Sequence, residues 1–158
     1  MTQLIEILKK DHARIRGILE TLEQTLQKDD GPSVEICDRL FARLEQELEE
    51  HLKREESFLS FLYSVTKKEL RGYHEAREHA DIRTTIHLLR DLLKEERSLS
   101  VAVIEAYGSH LIDTLREHMD QEERYVFRIA EQVLGEELLE HMTQLTESGS
   151  GAGSVGNA

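Results

Sequence analysis

The residues in this chain that could do chemistry are histidines and glutamates that recur at one fixed offset. Four histidines form two pairs, each with its members 67 positions apart: His12 with His79, and His51 with His118. The second histidine of each half is followed four positions later by a glutamate, Glu55 or Glu122. Imidazole together with carboxylate suits iron, manganese or zinc, and a carboxylate can bridge two metals. Brought to one place, these side chains would form a dinuclear metal site.

The repeat extends to the sequence around these residues. His-Ala-Arg-Ile-Arg at 12–16 corresponds to His-Ala-Asp-Ile-Arg at 79–83. Within each half the two histidines lie 39 positions apart (12 to 51 and 79 to 118). Chance pairing of histidine with glutamate on charged helices explains single pairs but not the shared spacing. A helical hairpin used twice explains it, and burying four histidines and two carboxylates would be costly without a metal.

Helices must position these residues, and apolar spacing predicts four long ones. The chain 29–33 predicts a turn and a new N-cap, and Gly135 predicts a helix stop. The predicted helices end near residues 26, 64, 97 and 134, with a loop or a frayed helix start at 65–73 and a short C-terminal helix over 136–146. Such helices with short connections form an all-α, antiparallel up-down-up-down four-helix bundle.

Distances along the chain predict that the four histidines share one layer of this bundle. His12 lies about 16 residues before the first helix ends, and His51 about 17 residues after the second begins, at about 1.5 Å per residue. The same match holds for His79 and His118. A histidine and a glutamate four residues apart also share one helix face, because four residues advance about 400°.

Composition limits the class of protein. The 158 residues suit one domain, which we place at 1–147 and follow with a disordered tail rich in glycine and serine at 148–158. The net charge of −12 argues against nucleic acid or an anionic membrane as partner, and no apolar run is long enough to span a membrane. No signal peptide is visible, and the single Cys37 fits a reducing cytoplasm.

At this point the pattern His, His-x-x-x-Glu, His, His-x-x-x-Glu resembles the hemerythrin-like domain, also called the HHE cation-binding domain, over about residues 3–145. The order Glu122, Glu123, Phe127 also follows that family, whereas the first copy has Ser60 at the Phe position. The resemblance implies two iron ions in a non-haem centre with carboxylate and oxo or hydroxo bridges. Its ligands would be His12, His51, His79 and His118, bridged by Glu55 and Glu122. The implied function is binding of dioxygen, nitric oxide or peroxide for sensing, transport or redox response.

The chain departs from the oxygen-carrier pattern, in which a fifth histidine stands four residues from the other one on the third helix. Those positions are Glu75 and Arg83, and His74 could ligate only if the start of that helix is distorted. The difference favours sensing or redox reactivity over simple storage. A di-iron enzyme acting on peroxide or nitric oxide and an iron sensor or donor stay open, as do manganese or zinc and the oligomeric state.

The remaining polar and aromatic residues have simpler expected roles. Glu56 and Glu123 should face water or contact the ligands, and His87, His110 and His141 should be exposed or structural. Core packing is the expected role of three further residues: Cys37, Tyr107 and Tyr125.

Overall fold

The computed structural model describes residues 3–66, 75–95, 101–135, 143–144 and 147, and in that part of the chain all regular structure is helical. Four long helices are followed by a π-helical turn and a short helix that continue the fourth. Their bounds are α1 Gln3–Leu26, α2 Val34–Thr66, α3 Glu75–Lys94, α4 Val101–Gln121, the π-helical turn Glu122–Val126 and α5 Phe127–Val133. The all-α prediction is confirmed, and the first helix ends at the predicted Leu26.

Ion pairs between the helices show that neighbours run antiparallel. Along α1 and α2, Asp11 pairs with Arg54 and Arg14 with Glu47, so residue numbers rise on one helix as they fall on the other. The same inversion relates α1 to α4, where Arg16 pairs with Asp120 and Glu23 with Arg116. Further pairs, Arg83–Glu49 with Arg90–Glu45, show it for α2 and α3. The helices therefore form the predicted up-down-up-down bundle, closed by α1 against α4.

Two apolar clusters fill the bundle and leave a polar layer between them. The larger one includes Leu19, Leu44, Leu89 and Leu115, and the smaller one is built from α1, the second half of α2 and α5. Burial of each such leucine contributes roughly 1.5–3 kcal/mol, so the clusters fix the register of all four helices. On each helix the repeated histidine lies between or at the edge of these apolar residues. The clusters thus place the histidines at one depth.

The turn between α1 and α2 has the predicted chemistry. Gly31 has a φ of 83°, a conformation that costs glycine little. Ser33 then caps α2, since its side-chain Oγ accepts the Ile36 N–H at 3.4 Å and its carbonyl accepts the Cys37 N–H at 2.9 Å. This cap fixes the start of the helix that carries His51 and Glu55.

Some predictions fall outside the described residues. These are the connections at 67–74 and 96–100 and the tail at 148–158. Of the predicted short helix at 136–146, only Thr143 and Gln144 are described, and both are helical. In the part of the chain that the structure describes, no helix combines the length and apolarity needed to cross a membrane.

Candidate metal centre

The six residues selected from the repeat lie together in the polar layer. None of them has more than 4% of its surface exposed: His12, His51, Glu55, His79, His118 and Glu122. Burying so many ionisable groups is costly unless they are paired or bind a cation. Pairing within the layer, or binding of a cation there, must therefore be strong enough to offset that cost.

Potential ligand atoms form two groups that share both glutamates. Group A is His12 and His51 with Glu55 and Glu122, and group B is His79 and His118 with the same two glutamates. Within each group the ligand atoms lie within 4.8 Å of one another. Each group could therefore hold one metal ion.

Each shared glutamate directs its two oxygens to different groups. Glu55 places Oε2 at 2.7 Å from Nε2 of His51 and Oε1 at 3.2 Å from Nε2 of His79. Glu122 places Oε1 at 2.6 Å from Nε2 of His118 and Oε2 at 3.0 Å from Nε2 of His12. A carboxylate with one oxygen in each group has the geometry of a bridge between two cations. The spacing of four residues places each glutamate beside the histidine of its own helix, as the sequence predicted.

The Nδ1–H group of each histidine donates to a second carboxylate on the preceding helix. For α1, that preceding helix is α4 with its π-helical continuation. Nδ1–H of His51 donates to Asp11 at 3.3 Å, and that of His12 donates to Glu123 at 2.9 Å. The other two contacts are His79 to Glu56 at 3.2 Å and His118 to Glu78 at 2.9 Å. We call these four acids the outer carboxylates. They fix the orientation and tautomer of the rings, as carboxylates beside metal-binding histidines commonly do.

Two of the outer carboxylates, Asp11 and Glu78, were missed in the sequence analysis. The signal was present, because both stand directly before a repeated histidine and keep the offset of 67 (11 to 78). Glu56 and Glu123 contact histidines, as one of the two predicted roles required.

Arginines hold three of the outer carboxylates. Both Arg16 terminal nitrogens reach Glu123, at 2.9 and 3.1 Å, and its repeat counterpart Arg83 reaches Glu56 at 3.0 Å. Asp11, which is 3% exposed, contacts Arg14 and lies 2.5 Å from Arg54. Arg83 thus points outward to the carboxylates of α2.

In the chain alone, contacts within the layer raise the pKa of His51 and His118 and lower that of Glu122. Burial opposes charge on His51, but hydrogen bonds to Asp11 and Glu55 outweigh it and raise its pKa to about 9. Burial likewise opposes charge on His118, but its hydrogen bonds to Glu122 and Glu78 and the negative charge of Glu122 and Glu55 together outweigh burial and raise the pKa to about 10. The pKa of Glu122 is held well below its ordinary value, because hydrogen bonds in the cluster outweigh the effect of burial. The layer thus attracts positive charge strongly.

The donor set itself fits two metal ions. Because each histidine donates through Nδ1, its neutral ring carries a lone pair on Nε2. Nε2 of His12 and His51 are 3.2 Å apart, as are those of His79 and His118. Two lone pairs at that distance repel unless a proton or a metal ion lies between them, and the two shared glutamates add negative charge. One cation per group satisfies all six side chains.

Comparison with known families gives the same result. The family model described as the hemerythrin HHE cation-binding domain matches residues 3–130. The chain belongs to this family. No curated protein and no solved structure matches it. The match covers all six cluster residues and agrees with the resemblance found in the sequence.

In this HHE domain the repeat is interrupted at the π-helical turn that begins with Glu122. Burial matches position by position between 46–57 and 113–124 at the offset of 67, but the buried residues after Arg124 match at an offset of 68 (58 to 126, 59 to 127 and 62 to 130). Tyr125 is the extra residue, and the backbone accommodates it with an N–H of Phe127 bonded to the carbonyl of Glu122. Such turns are common at functional sites.

The insertion corrects two expectations. Tyr125 is 65% exposed, so its predicted core packing was wrong, since the inserted residue projects outward. Phe127 corresponds to Leu59 in space rather than to Ser60, and its ring stacks on His12 with centroids 5.5 Å apart. The π-helical turn therefore places an aromatic ring beside group A.

The other predicted roles have mixed outcomes. Core packing of Tyr107 was also wrong, because it is 44% exposed, whereas Cys37 is buried as predicted. His87 and His110 are exposed, as expected. His74 and His141 lie outside the described residues, as does the side chain of Glu75.

Proposed function

We propose that this HHE domain binds two iron ions and, through them, dioxygen or a related small oxidant such as nitric oxide or peroxide. The observation that carries the proposal is the pair of ligand groups joined by both Glu55 and Glu122. Histidine nitrogen with carboxylate oxygen is a ligand set that suits iron, although it also accepts manganese and zinc. We further propose that the protein acts in the cytoplasm, supported by its single cysteine, Cys37.

The protein supplies four ligand atoms to each position. His12 and His51 would hold one iron, His79 and His118 the other, and Glu55 and Glu122 would bridge them. Four protein ligands are fewer than the six that iron commonly takes, so a small molecule or a bridging oxygen can bind as well. When bound, ferrous iron would supply the electrons for the reaction with the oxidant.

The surrounding side chains control access to this site. The smaller apolar cluster includes Phe58 and Phe127, whose rings are 6.3 Å apart, and it closes one end of the polar layer. The larger cluster closes the other end. Apolar walls slow the entry of water and ions, while small uncharged molecules pass more readily. This arrangement favours a diatomic oxidant over a charged substrate.

The test is the iron content and the absorption spectrum of anaerobically reduced protein, before and after air. We expect two irons per chain and an absorption change after air. A change that reverses on deoxygenation supports binding, and steady consumption of the oxidant supports the enzyme alternative. An iron-dependent change in stability or partner binding would favour an iron sensor or donor.

A matched pair of variants tests the site. His118→Ala should lower iron content, while His110→Ala, an exposed histidine on the same helix, should leave it unchanged. Absence of iron from the unaltered protein, or equal iron in both variants, would refute the proposed centre.

A further inference from the structure

The four outer carboxylates differ in their contacts with arginine, and this difference distinguishes group A from group B. In group A, His51 and His12 donate to Asp11 and Glu123, and arginine contacts both acids. In group B, Glu56 is held by Arg83, but Glu78 is 41% exposed and contacts His118 without any arginine among the described residues. One histidine of group B therefore relies on a carboxylate that has no arginine or lysine partner in the part of the chain that the structure describes.

The repeat shows which residues make the difference. The arginines that hold Asp11 are Arg14 and Arg54, and the offset of 67 relates them to Asp81 and Gln121. The positions that correspond to the two arginines thus hold an acid and an amide, and neither carries the positive charge that would hold Glu78. Gln121 donates instead to Glu117 at 3.2 Å.

We infer that the two metal positions are inequivalent, and that group B, where Asp81 and Gln121 replace the arginines of group A, binds its ion less tightly and exchanges it faster. The inference rests on the proposed two-metal site. Asp11 is buried and tied to two helices by its arginines, so the ring of His51 is held in place before a metal arrives. Glu78 is half-exposed and has more rotamers, so ordering it and His118 reduces the affinity of group B.

The size of the expected difference in metal affinity can be estimated from similar contacts. Loss of a residue that orients a metal ligand typically costs about 10–100-fold in metal affinity. Because Glu78 is present but poorly held, we expect the lower part of that range, about 10-fold between the two groups. Loading should therefore fill group A first and group B second.

The experiment measures release of Fe²⁺ from the anaerobic, fully loaded protein to an excess of a chromogenic ferrous chelator. The unaltered protein should release its two irons in two phases of equal amplitude, about 10-fold apart in rate. Gln121→Arg gives Glu78 the arginine that Asp11 already has, so it should slow the fast phase alone. Arg54→Gln should accelerate the slow phase alone, and Arg54→Lys should restore part of the loss.

The matched control is Lys53→Gln, which removes one positive charge next to Arg54 from a side chain that is 71% exposed. It should change neither phase. A second readout is the NMR spectrum of the Co²⁺-loaded protein, in which Nδ1–H protons of bound histidines are strongly shifted. The signal of His118 should exchange with deuterium faster than that of His51, and Gln121→Arg should slow that exchange.

The possible outcomes separate this inference from the function on which it rests. Two bound irons that leave in a single phase would overturn it while leaving the two-iron proposal intact. A fast phase that Gln121→Arg does not slow would also overturn it. Failure of the unaltered protein to bind iron would overturn both.

Discussion

Deletion of Tyr125 should leave this protein folded, although removal of a residue from inside a helix normally disrupts packing. Each helical residue advances about 100°, so a deletion turns every later side chain by that angle. In the π-helical turn the extra residue has already been absorbed, and the buried residues beyond it lie at an offset of 68 from their counterparts in α2. Deleting Tyr125 restores a regular helix with the same buried face.

A deletion in the matching part of α2 sets the scale of the expected effect. Removing Ser57 would turn the buried Phe58, Leu59 and Leu62 away from the smaller apolar cluster. At about 2 kcal/mol each, this costs about 6 kcal/mol. That is comparable with the whole free energy of unfolding of a typical domain, about 5–15 kcal/mol. Tyr125 is 65% exposed, so its loss should cost no more than about 1 kcal/mol.

The assay is urea unfolding of both deletion variants, followed by circular dichroism, with iron content measured in parallel. Deletion of Tyr125 should give a cooperative transition close to that of the unaltered protein and should retain iron. Deletion of Ser57 should lower the unfolding free energy by several kcal/mol or prevent folding. Equal damage from the two deletions would show that Tyr125 is not the inserted residue, and the register argument would be wrong.

Three further predictions concern the charges of the polar layer. Glu55→Ala should lower the metal content of both groups, because Glu55 has one oxygen in each, and metal analysis showing two retained irons would contradict the ligand assignment. The raised pKa values of His51 and His118, about 9 and about 10, mean that both are protonated at pH 7.5 in metal-free protein, so metal binding should release protons that buffer-dependent calorimetry can count. The same raised pKa values stabilise the metal-free fold below pH about 6.5. This contribution is lost as the pH rises through 9 to 10, which urea unfolding across this range will show. A free energy of unfolding of the metal-free protein that rises with pH over this range would contradict these protonation states.

The helices and the residues of groups A and B could be predicted from the sequence because two independent signals coincide there. Apolar spacing fixes which face of each helix is buried, and the repeat places His12, His51, His79 and His118 on those faces. The position of Tyr125 could not be predicted in the same way. At a constant offset of 67, Phe127 is paired with Ser60, and a sequence alone does not distinguish such a substitution from a one-residue insertion. Only the backbone shows where the extra residue is absorbed.

The outer carboxylates were harder to predict for a geometric reason. In a chain with 32 acidic residues, an acid beside a histidine carries little information. Adjacent residues on a helix also point about 100° apart, so Asp11 cannot reach the ring of its neighbour His12 while both are buried. It reaches His51 on the next helix instead, at 3.3 Å. An acid next to a metal-binding histidine therefore orients the histidine of another helix, and its replacement should perturb a ligand 40 positions away along the chain.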